Sequence, residues 1–267
     1  MTKRPYAFIT GASSGIGAAF ARLAARKGCD VGVTARREER LNALAGELRA
    51  EHGVAADVFP ADLSAPGAAR QLIDAVRAAG RLPDILINNA GATVAKGFAR
   101  TTFSEQEAFL DLTLMAPVAL AHAFLPGMVA KGRGRIINIA SITALSSGGK
   151  GHTLYPAAKS FLLKFSQSLN AEVAEKGVFV SAVLPGFVAT EFQQANGMAE
   201  KMKGEHERFA QTAEEVAAES WSRNDKGVEI IVPGGPPKIA AACLRYLPEP
   251  LVRALTRPAA AKYYVGD

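Results

Sequence analysis

The sequence predicts a single α/β domain over residues 1–267, built on a doubly wound parallel sheet of about seven strands with helices on both faces. Two observations support this fold class. Short apolar runs of strand length alternate with longer stretches of helical periodicity, starting close to the N-terminus. The short runs are apolar at nearly every position, which indicates strands buried on both faces. Regular alternation of strand and helix gives parallel strands joined by crossover helices.

Each element can be placed along the chain by its pattern. Seven apolar runs are predicted to be strands: residues 6–10, 30–35, 55–63, 84–91, 135–141, 179–186 and 228–234. Five stretches with a 3.6-residue apolar period are predicted to be helices: residues 15–28, 37–51, 66–80, 104–131 and 155–176.

A polar segment breaks the alternation after the sixth strand. Residues 187–226 are expected to form a substrate lid, because an insertion at the carboxyl edge of the sheet lies where ligands bind. Inside it, Thr212 followed by Glu215 predicts a helix that starts with a capping box. Residues 236–267 contain apolar helical pieces broken by prolines. We expect them to be a C-terminal extension that packs on the domain or on a partner.

Composition and charge argue against several classes of protein. Hydrophobic residues make up 49% of the chain and charged residues 21%, an ordinary balance for a globular protein. No apolar run approaches the ~20 residues of a membrane span, and the N-terminus lacks the pattern of a signal peptide, so we expect a cytoplasmic protein. The net charge is +6, but the basic residues are dispersed. This favours a basic surface that attracts anionic ligands over a nucleic-acid interface.

The cysteines and histidines indicate neither a disulfide framework nor a metal site. Cys29 and Cys243 are the two cysteines of the chain and show no metal-type spacing. The four histidines are scattered, and none pairs with another at the spacing of metal ligands. We therefore expect no metal.

A glycine-rich turn, TGASSGIG, follows the first predicted strand and opens the first helix. Gly11, Gly15 and Gly17 allow the backbone to approach a pyrophosphate, and the helix N-terminus offers free N–H groups and a positive dipole end. Ser13 and Ser14 add hydroxyl donors. The spacing differs from the dinucleotide fingerprint G-x-G-x-x-G, but it predicts the same Rossmann-like use of the turn.

Arginines follow the second predicted strand, where a dinucleotide site needs a group for the adenosine ribose. An acidic residue there binds a 2′-hydroxyl, whereas arginine binds a 2′-phosphate. Arg36 and Arg37 stand at this position, with Arg40 a turn later. They favour NADP(H) over NAD(H). Arg36, next to the strand end, is the stronger candidate to bind the 2′-phosphate. The alternative is that these arginines only solvate the start of a helix.

Further motifs occur in a fixed order. NNAG at residues 88–91 lies at the end of the fourth predicted strand and Ser141 at the end of the fifth. YPAAK lies at residues 155–159, and PGFVAT at residues 185–190 lies at the end of the sixth predicted strand. Together with the glycine turn they resemble the short-chain dehydrogenase/reductase family, in its compact branch. The resemblance covers residues 6–190 and weakens after them. It implies a Rossmann-like fold and a small-molecule carbonyl or alcohol substrate.

The resemblance also implies roles for individual residues. The phosphate and ribose turn would be Gly11, Ser13, Gly15, Ile16 and Gly17. The adenine and adenosine side would be lined by Asp62, Leu63, Asn89, Ala90 and Gly91, with Asn88 bracing the sheet. A shelf under the nicotinamide carboxamide would consist of Pro185, Gly186, Val188 and Thr190. The catalytic set would be Ser141, Tyr155 and Lys159.

The chemistry of this set can also be argued from the residues. Carbonyl reduction needs a proton donor, and a tyrosine of pKa ~10 is a poor one until a nearby ammonium lowers that value. Tyr155 and Lys159 are four residues apart, so on a helix they share a face. Ser141 can donate a hydrogen bond to the substrate oxygen. Pro156 suits the first turn of a helix and is expected to keep Tyr155 at the helix boundary, outside the αR region.

Two departures from the family pattern stand out. Thr113 occupies a position where related sequences usually carry an asparagine that completes a catalytic tetrad by holding a water near the lysine. Thr113 can bond back to a helical carbonyl, and Pro117 removes a helix hydrogen bond nearby. We expect a reduced or rewired proton relay. The interval from Ser141 to Tyr155 is also one residue longer than usual, so Lys150 or His152 could face the substrate, although solvent is the simpler destination.

The leading hypothesis is an NADP(H)-dependent oxidoreductase that interconverts a carbonyl and an alcohol, with Tyr155 as general acid and base. Apolar lid residues, namely Phe187, Phe192, Met198 and Met202, favour an apolar substrate. Two alternatives stay open: a catalytically impaired NADP-binding scaffold, favoured by Thr113 alone, and a 3-oxoacyl-thioester reductase. The family resemblance implies a homodimer or homotetramer formed through the helices at 104–131 and 155–176.

Overall fold

The fold is a parallel sheet between two layers of helices. The computed structural model describes residues 4–94, 96–149, 153–191 and 210–262. Within them, seven strands form one sheet in the order β3-β2-β1-β4-β5-β6-β7, and every neighbouring pair is parallel. The strands are β1 (Tyr6–Thr10), β2 (Asp30–Thr34), β3 (Ala56–Val58), β4 (Ile85–Asn88), β5 (Gly134–Ile139), β6 (Val178–Val183) and β7 (Ile230–Ile231). The predicted fold class is confirmed.

Nine α-helices accompany the sheet in the described residues. They are α1 (Gly15–Arg26), α2 (Glu38–His52), α3 (Ala68–Ala78), α4 (Phe103–Leu110), α5 (Ala116–Ala130), α6 (Leu154–Val173), α7 (Ala213–Asn224), α8 (Gly235–Tyr246) and α9 (Glu249–Lys262). The helix α7 begins with the predicted capping box, because Thr212 accepts from the Glu215 N–H while the Glu215 carboxylate accepts from the Thr212 N–H.

The sheet separates two main apolar clusters because successive side chains of a strand point to opposite faces. Ile9 of β1 belongs to the cluster that packs against α1, α2 and α7. Its neighbour Phe8 belongs to the cluster that packs against α3 and α5, where it meets Phe124 edge to face at a centroid distance of 6.1 Å. The core thus holds the carboxyl ends of the central strands in fixed positions.

Most strands are shorter than predicted, and β3 and β7 differ most. Beyond Val58, the chain still follows β2 through bonds from the Phe59 and Ala61 N–H groups, but Pro60 between them has no N–H to donate. The last strand has two residues, Ile230 and Ile231, where seven were expected. At this edge of the sheet only β6 pairs with it, so little holds the remaining apolar residues in strand conformation.

The predicted helix at 104–131 is interrupted by one π-helical turn at Asp111–Met115. The Ala116 N–H bonds to the Asp111 carbonyl five residues back. Pro117 follows directly and has no N–H, so the α-helical hydrogen-bond pattern cannot run unbroken through this point. The wider turn changes the direction of the side chains between α4 and α5, and Thr113 lies inside it.

The same run corrects one expectation from the sequence. Phe103–Ala130 is long and apolar enough to cross a membrane by length and composition, since it contains an 18-residue window with a mean hydropathy of 1.7. No membrane-length segment was expected here, because polar residues interrupt the apolar run. Here Leu120, Phe124 and Met128 are buried against the sheet, and core helices of this kind meet the same criterion.

Candidate active site

The candidate site lies along the carboxyl edge of the sheet, where the strand order reverses between β1 and β4. Ligands of doubly wound folds bind in the crevice at such a switch point. Gly11 follows β1, Asn89 follows β4, and Ser141 and Pro185 follow β5 and β6 closely. Because all the strands are parallel, the topology brings these predicted site residues to one edge.

The glycine turn is closely packed against the loop after β4. Gly11 has a φ of +67°, and a Cβ there would lie 2.8 Å from the Ala90 Cα atom. A Cβ on Gly17 would lie 2.3 Å from the Gly11 carbonyl oxygen. These positions therefore require glycine for the turn itself. Ser14 is the N-cap of α1, but its side chain makes no capping hydrogen bond. The first N–H groups of the helix can therefore bind another acceptor.

The NNAG loop is fixed by Thr10, the last residue of β1. The Thr10 hydroxyl accepts from the N–H groups of Asn89 and Ala90, both at 2.9 Å. The Asn89 amide donates back to the carbonyl oxygens of Thr10 and Gly11, at 3.0 and 3.2 Å. The loop and the glycine turn therefore form one rigid unit. Sequence reasoning did not single out Thr10.

Asn88 joins a chain of buried amides that crosses two strands and a helix. Its Nδ2 donates to Asn138 Oδ1 at 2.8 Å, and Asn138 Nδ2 donates to the Ser166 hydroxyl of α6 at 2.9 Å. Ser166 in turn donates to the Leu162 carbonyl. This arrangement matches the expectation that Asn88 braces the sheet, and it adds Asn138 and Ser166 as its partners.

The two arginines directly after β2, Arg36 and Arg37, interact with different residues. Arg37 donates to the hydroxyls of Ser13, at 3.0 Å, and Ser14, at 2.8 Å, so it lies directly over the glycine turn. Arg36 is exposed and acts on Asp62. Burial opposes the shift, but hydrogen bonds from Ser64 and the charge of Arg36 hold the pKa of Asp62 below its usual value. The neighbouring Leu63 side chain is buried in the core.

Ser141, Tyr155 and Lys159 come together between β5 and α6. Lys159 is 5% exposed, and its Nζ donates to the Ile139 carbonyl at 2.9 Å. The same Nζ lies 5.7 Å from the centre of the Tyr155 ring. A hydrogen bond with the Ser141 side chain acts on the Tyr155 hydroxyl. The structure thus places a phenol between a hydroxyl group and a buried amine.

The electrostatics of this group differ from the sequence expectation. Burial raises the pKa of Tyr155, and the hydrogen bond with Ser141 offsets only part of that rise. Burial also lowers the pKa of Lys159 to about 8. The expectation that the Lys159 ammonium lowers the pKa of Tyr155 is not met, because burial is the largest influence on both groups and only the hydrogen bond with Ser141 lowers the pKa of Tyr155.

Tyr155 lies within the first turn of its helix. Helix α6 begins at Leu154, so Tyr155 is its second residue and Pro156 its third. Pro156 remains within the first turn, where its missing N–H leaves no helix hydrogen bond broken. Tyr155 therefore stays near the helix boundary, as expected, but the expectation that proline keeps it out of the αR region is wrong, because the first turn includes the residue before proline.

Thr113 is buried beside this site and bonds within its own helix. Its hydroxyl donates to the Phe109 carbonyl at 2.6 Å, as the sequence predicted. The residue is 1% exposed. Thr113 thus uses its one donor within its helix, and it has no side-chain amide to offer to a neighbouring group.

The segment after β6 packs against both ends of the crevice. The Pro185 carbonyl accepts from the Ile142 N–H at 3.0 Å, beside Ser141. Val188 is buried and forms an isolated parallel bridge with Gln211. A Cβ on Gly15 would lie 3.0 Å from Thr190 Cγ2, and one on Gly186 would lie 2.9 Å from Pro237 of α8. This segment therefore contacts the glycine turn and the C-terminal helices.

A small cavity beside Tyr155 is lined by apolar and polar side chains alike. Val94, Phe98, Phe109 and Leu154 contribute to its wall, together with Lys96, Gln106 and Thr153. Lys150 and His152 of the long interval before Tyr155, and the predicted lid residues Phe192, Met198 and Met202, lie outside the described residues.

Comparison with known proteins decides the family. A profile described as short chain dehydrogenase matches residues 5–201. The chain belongs to the short-chain dehydrogenase/reductase family.

Individual members of the family resemble this chain over most of its length. A 3-oxoacyl-acyl-carrier-protein reductase of Escherichia coli is 34% identical over 71% of this chain and 75% of its own. A short-chain dehydrogenase from Sphingobium yanoikuyae, solved in complex with NADPH, is 36% identical, with a TM-score of 0.78 over 85% of this chain and 87% of its own. A bulky-bulky ketone specific alcohol dehydrogenase from Comamonas testosteroni is 28% identical, with a TM-score of 0.76 over 100% of this chain and 96% of its own.

The nucleotide cofactor of the short-chain dehydrogenases fits the residues present. The uncapped start of α1 and the Ser13 and Ser14 hydroxyls offer donors for a pyrophosphate. Arg37 supplies a guanidinium at the adjoining edge. In the described part of the chain, no three potential metal ligands form a cluster.

Proposed function

We propose that this protein interconverts a carbonyl compound and an alcohol with NADP(H), using Tyr155 as general acid and base. The observation that carries the proposal is the grouping of half-buried Ser141 and Tyr155 with buried Lys159 at the same sheet edge as the glycine turn. A bound nicotinamide cofactor would supply or accept the hydride. The chain's own residues then need to bind the carbonyl oxygen and move one proton.

Each residue of the group has a distinct part in that proton transfer. Tyr155 keeps its proton at neutral pH, because burial raises its pKa, and donates it to the alkoxide oxygen that forms during reduction. Ser141 donates a hydrogen bond to the same oxygen and stabilises its developing charge. Lys159 supplies positive charge beside the resulting phenolate and is held in place by the Ile139 carbonyl.

Two observations support the finer choices of cofactor and substrate. Arg37 over the glycine turn, with Arg36 at the loop and Arg40 in the first turn of α2, supports NADP(H), and a similar protein was solved with NADPH. The exposed Phe187 side chain in the segment after β6 supports an apolar ketone or aldehyde. Similarity over the whole chain to an alcohol dehydrogenase specific for bulky ketones points the same way.

The proposal is tested by screening the purified protein against ketones, aldehydes and alcohols with NADPH and NADH. Tyr155→Phe is expected to lower kcat by about 10²- to 10⁴-fold, the usual contribution of a general acid. Tyr246→Phe is the matched control, since Tyr246 is exposed on α8 far along the chain. Tight NADPH binding without turnover of any substrate would instead support a non-catalytic scaffold.

A second candidate is reduction of 3-oxoacyl thioesters, favoured by the 34% identity to the Escherichia coli reductase. The two candidates share the chemistry and differ in the substrate. Acetoacetyl-CoA and a bulky apolar ketone, compared by kcat/KM in one assay, separate them. We expect the ketone to be preferred, and a higher kcat/KM for the thioester would reverse the order.

We also propose a homodimer or homotetramer formed through the surface of α4, α5 and α6. Met115 in the π turn is 58% exposed, and Phe161 on α6 is 41% exposed and stacks on Phe165 at 5.9 Å. Burial of these side chains would favour self-association. Sedimentation of the wild type and of Phe161→Glu tests this, because the charged variant should shift the protein toward monomer.

A further inference from the structure

A carboxylate from the far end of the crevice binds the candidate phosphate arginines. Glu191 Oε2 lies 3.0 Å from Arg37 Nη1 and 2.6 Å from Arg40 Nη1, and Glu191 Oε1 lies 2.8 Å from the same Arg40 atom. The hydrogen bonds from Arg37 and Arg40 hold the pKa of Glu191 below its usual value. The side chain is therefore a charged carboxylate at neutral pH.

Contacts on the preceding residues hold Glu191 in this position. The Ala189 N–H donates to the Gln211 carbonyl and the Gln211 N–H donates to the Phe187 carbonyl, both at 3.0 Å. Thr190 packs so closely on the glycine turn that a Cβ on Gly15 would lie 3.0 Å from it. Glu191 thus reaches the arginines from a backbone that is anchored on both sides of the crevice.

The donors that Glu191 occupies are the ones that a phosphate would use. Arg37 spends Nη1 on Glu191 and Nε and Nη2 on the hydroxyls of Ser13 and Ser14. Guanidinium binds phosphate oxygens through the same fork of N–H groups. A carboxylate and a 2′-phosphate on the same two guanidinium groups would lie a few ångströms apart and repel each other. The carboxylate must move away for the phosphate to bind fully.

We propose that Glu191 competes internally with the 2′-phosphate of NADP(H) for Arg37 and Arg40 and so limits the preference of the protein for NADP(H) over NAD(H). This inference rests on the proposed function, because it takes NADP(H) as the cofactor. NAD(H) has a hydroxyl where NADP(H) has the phosphate, so its binding does not require the carboxylate to leave. Glu191 therefore weakens NADP(H) binding more than NAD(H) binding. The protein must first give up the contacts of Glu191 with the arginines, and this cost lowers the apparent affinity for NADP(H).

The experiment compares Kd for NADPH and for NADH in the wild type, Glu191→Gln and Glu39→Gln, by fluorescence titration of the full-length protein. Glu39 is the matched control, an exposed carboxylate beside Arg40 that pairs with neither arginine in the described part of the chain. Glu191→Gln is expected to tighten NADPH binding by about three- to tenfold and to change NADH binding by less than about twofold. Glu39→Gln should leave the ratio of the two constants close to the wild-type value.

Other outcomes separate this inference from the assignment of the cofactor. If Glu191→Gln leaves the ratio unchanged, or weakens NADPH binding, Glu191 does not compete and instead orients the arginines or has no part. Arg37→Gln tests the assignment itself and should weaken NADPH binding. If Arg37→Gln has that effect and Glu191→Gln has none, only the competition is disproved. If Arg37→Gln has no effect on NADPH binding, Arg37 does not bind the 2′-phosphate, and the competition proposed for Glu191 is disproved with it.

Discussion

Tyr155 lies between the Ser141 hydroxyl and the Lys159 amine, and burial dominates the protonation of both titratable groups. The pKa of Tyr155 is raised and that of Lys159 is lowered to about 8. Near neutral pH, the site therefore holds a protonated phenol and a mostly charged amine. This state suits donation of a proton to a substrate, which is the reductive direction.

The two directions of the reaction should depend differently on pH. Reduction needs the Tyr155 proton, which is retained through neutral pH, so its kcat/KM should be level below pH about 8 and fall above it as Lys159 loses its charge. Alcohol oxidation needs the phenolate, whose fraction grows about tenfold per pH unit below the pKa. Steady-state rates in both directions over one pH range check this. Superimposable profiles would contradict it.

Thr113 allows a sharper test at the position where relatives usually carry asparagine. Its hydroxyl bonds to the Phe109 carbonyl of its own helix, a bond that adds little stability. Thr113→Val, which keeps the shape, should therefore retain kcat and lose no more than about 1 kcal/mol of unfolding free energy.

Thr113→Asn restores the side-chain amide and should shift the pH–rate profile. The valine variant is its control, because it changes the residue without adding an amide. An unchanged profile in Thr113→Asn would show that this position has no part in proton supply.

At the scale of the elements, buried amides hold the strands and α6 in register. Asn138 is fully buried and links Asn88 of β4 to Ser166 of α6. Its truncation would leave two buried polar groups without this partner, each costing about 1–3 kcal/mol. Asn138 also lies one residue before Ile139, whose carbonyl holds Lys159. These hydrogen-bonded amides therefore connect the stability of the sheet to the geometry of the site.

Asn138→Ala is expected to lower the free energy of unfolding by about 2–4 kcal/mol. Urea unfolding followed by circular dichroism measures the loss. Ser168→Ala, an exposed serine on the same helix, should change it by less than about 0.5 kcal/mol. An effect of Asn138→Ala within that smaller range would show that the amide chain contributes no net stability.

Local sequence patterns predicted the order and type of the elements because each pattern is decided by nearby residues. The capping box of Thr212 and Glu215 and the back-bond of Thr113 are both of this kind. The π turn at Asp111–Met115 was not predicted, although Pro117 marked its place. A proline in the sequence shows that one backbone hydrogen bond of the helix is lost. It does not show whether the helix then kinks, ends or forms a π turn.

Contacts between distant residues were the part that the sequence could not supply. Glu191 pairs with Arg37 across 154 positions of the chain, and no local pattern indicates such a pair. The raised pKa of Tyr155 depends on burial, which comes from several elements together. The spacing of Tyr155 and Lys159 correctly predicted that they are neighbours, but it could not predict which effect controls their charge.

At the scale of the whole molecule, the crevice joins elements from both halves of the sheet. The glycine turn, the NNAG loop and the segment after β6 contact one another across it. A cofactor bound there would contact all of them in the folded state and none in the unfolded chain. Its binding free energy should therefore add to the stability of the fold.

NADPH at about 100 times its Kd should add about 2.7 kcal/mol and raise Tm by roughly 5–10 °C for a domain of this size. NADH at the same concentration should raise it less, in keeping with the proposed cofactor preference. Thermal scans with each cofactor provide the measurement. An equal shift with both would contradict the preference while leaving dinucleotide binding intact.

The apolar helical run at Phe103–Ala130 has a consequence for synthesis of the chain. Its later packing partners, β5 and α6, end at residue 173, so the run is synthesised before they exist. At ~5–20 residues per second, about 2–9 s pass between synthesis of residues 130 and 173. During that time a segment that contains a window as apolar as a membrane span lacks these packing partners. The speed of translation through residues 131–173 therefore bears on how much of the chain folds and how much is captured by targeting factors or by other nascent chains.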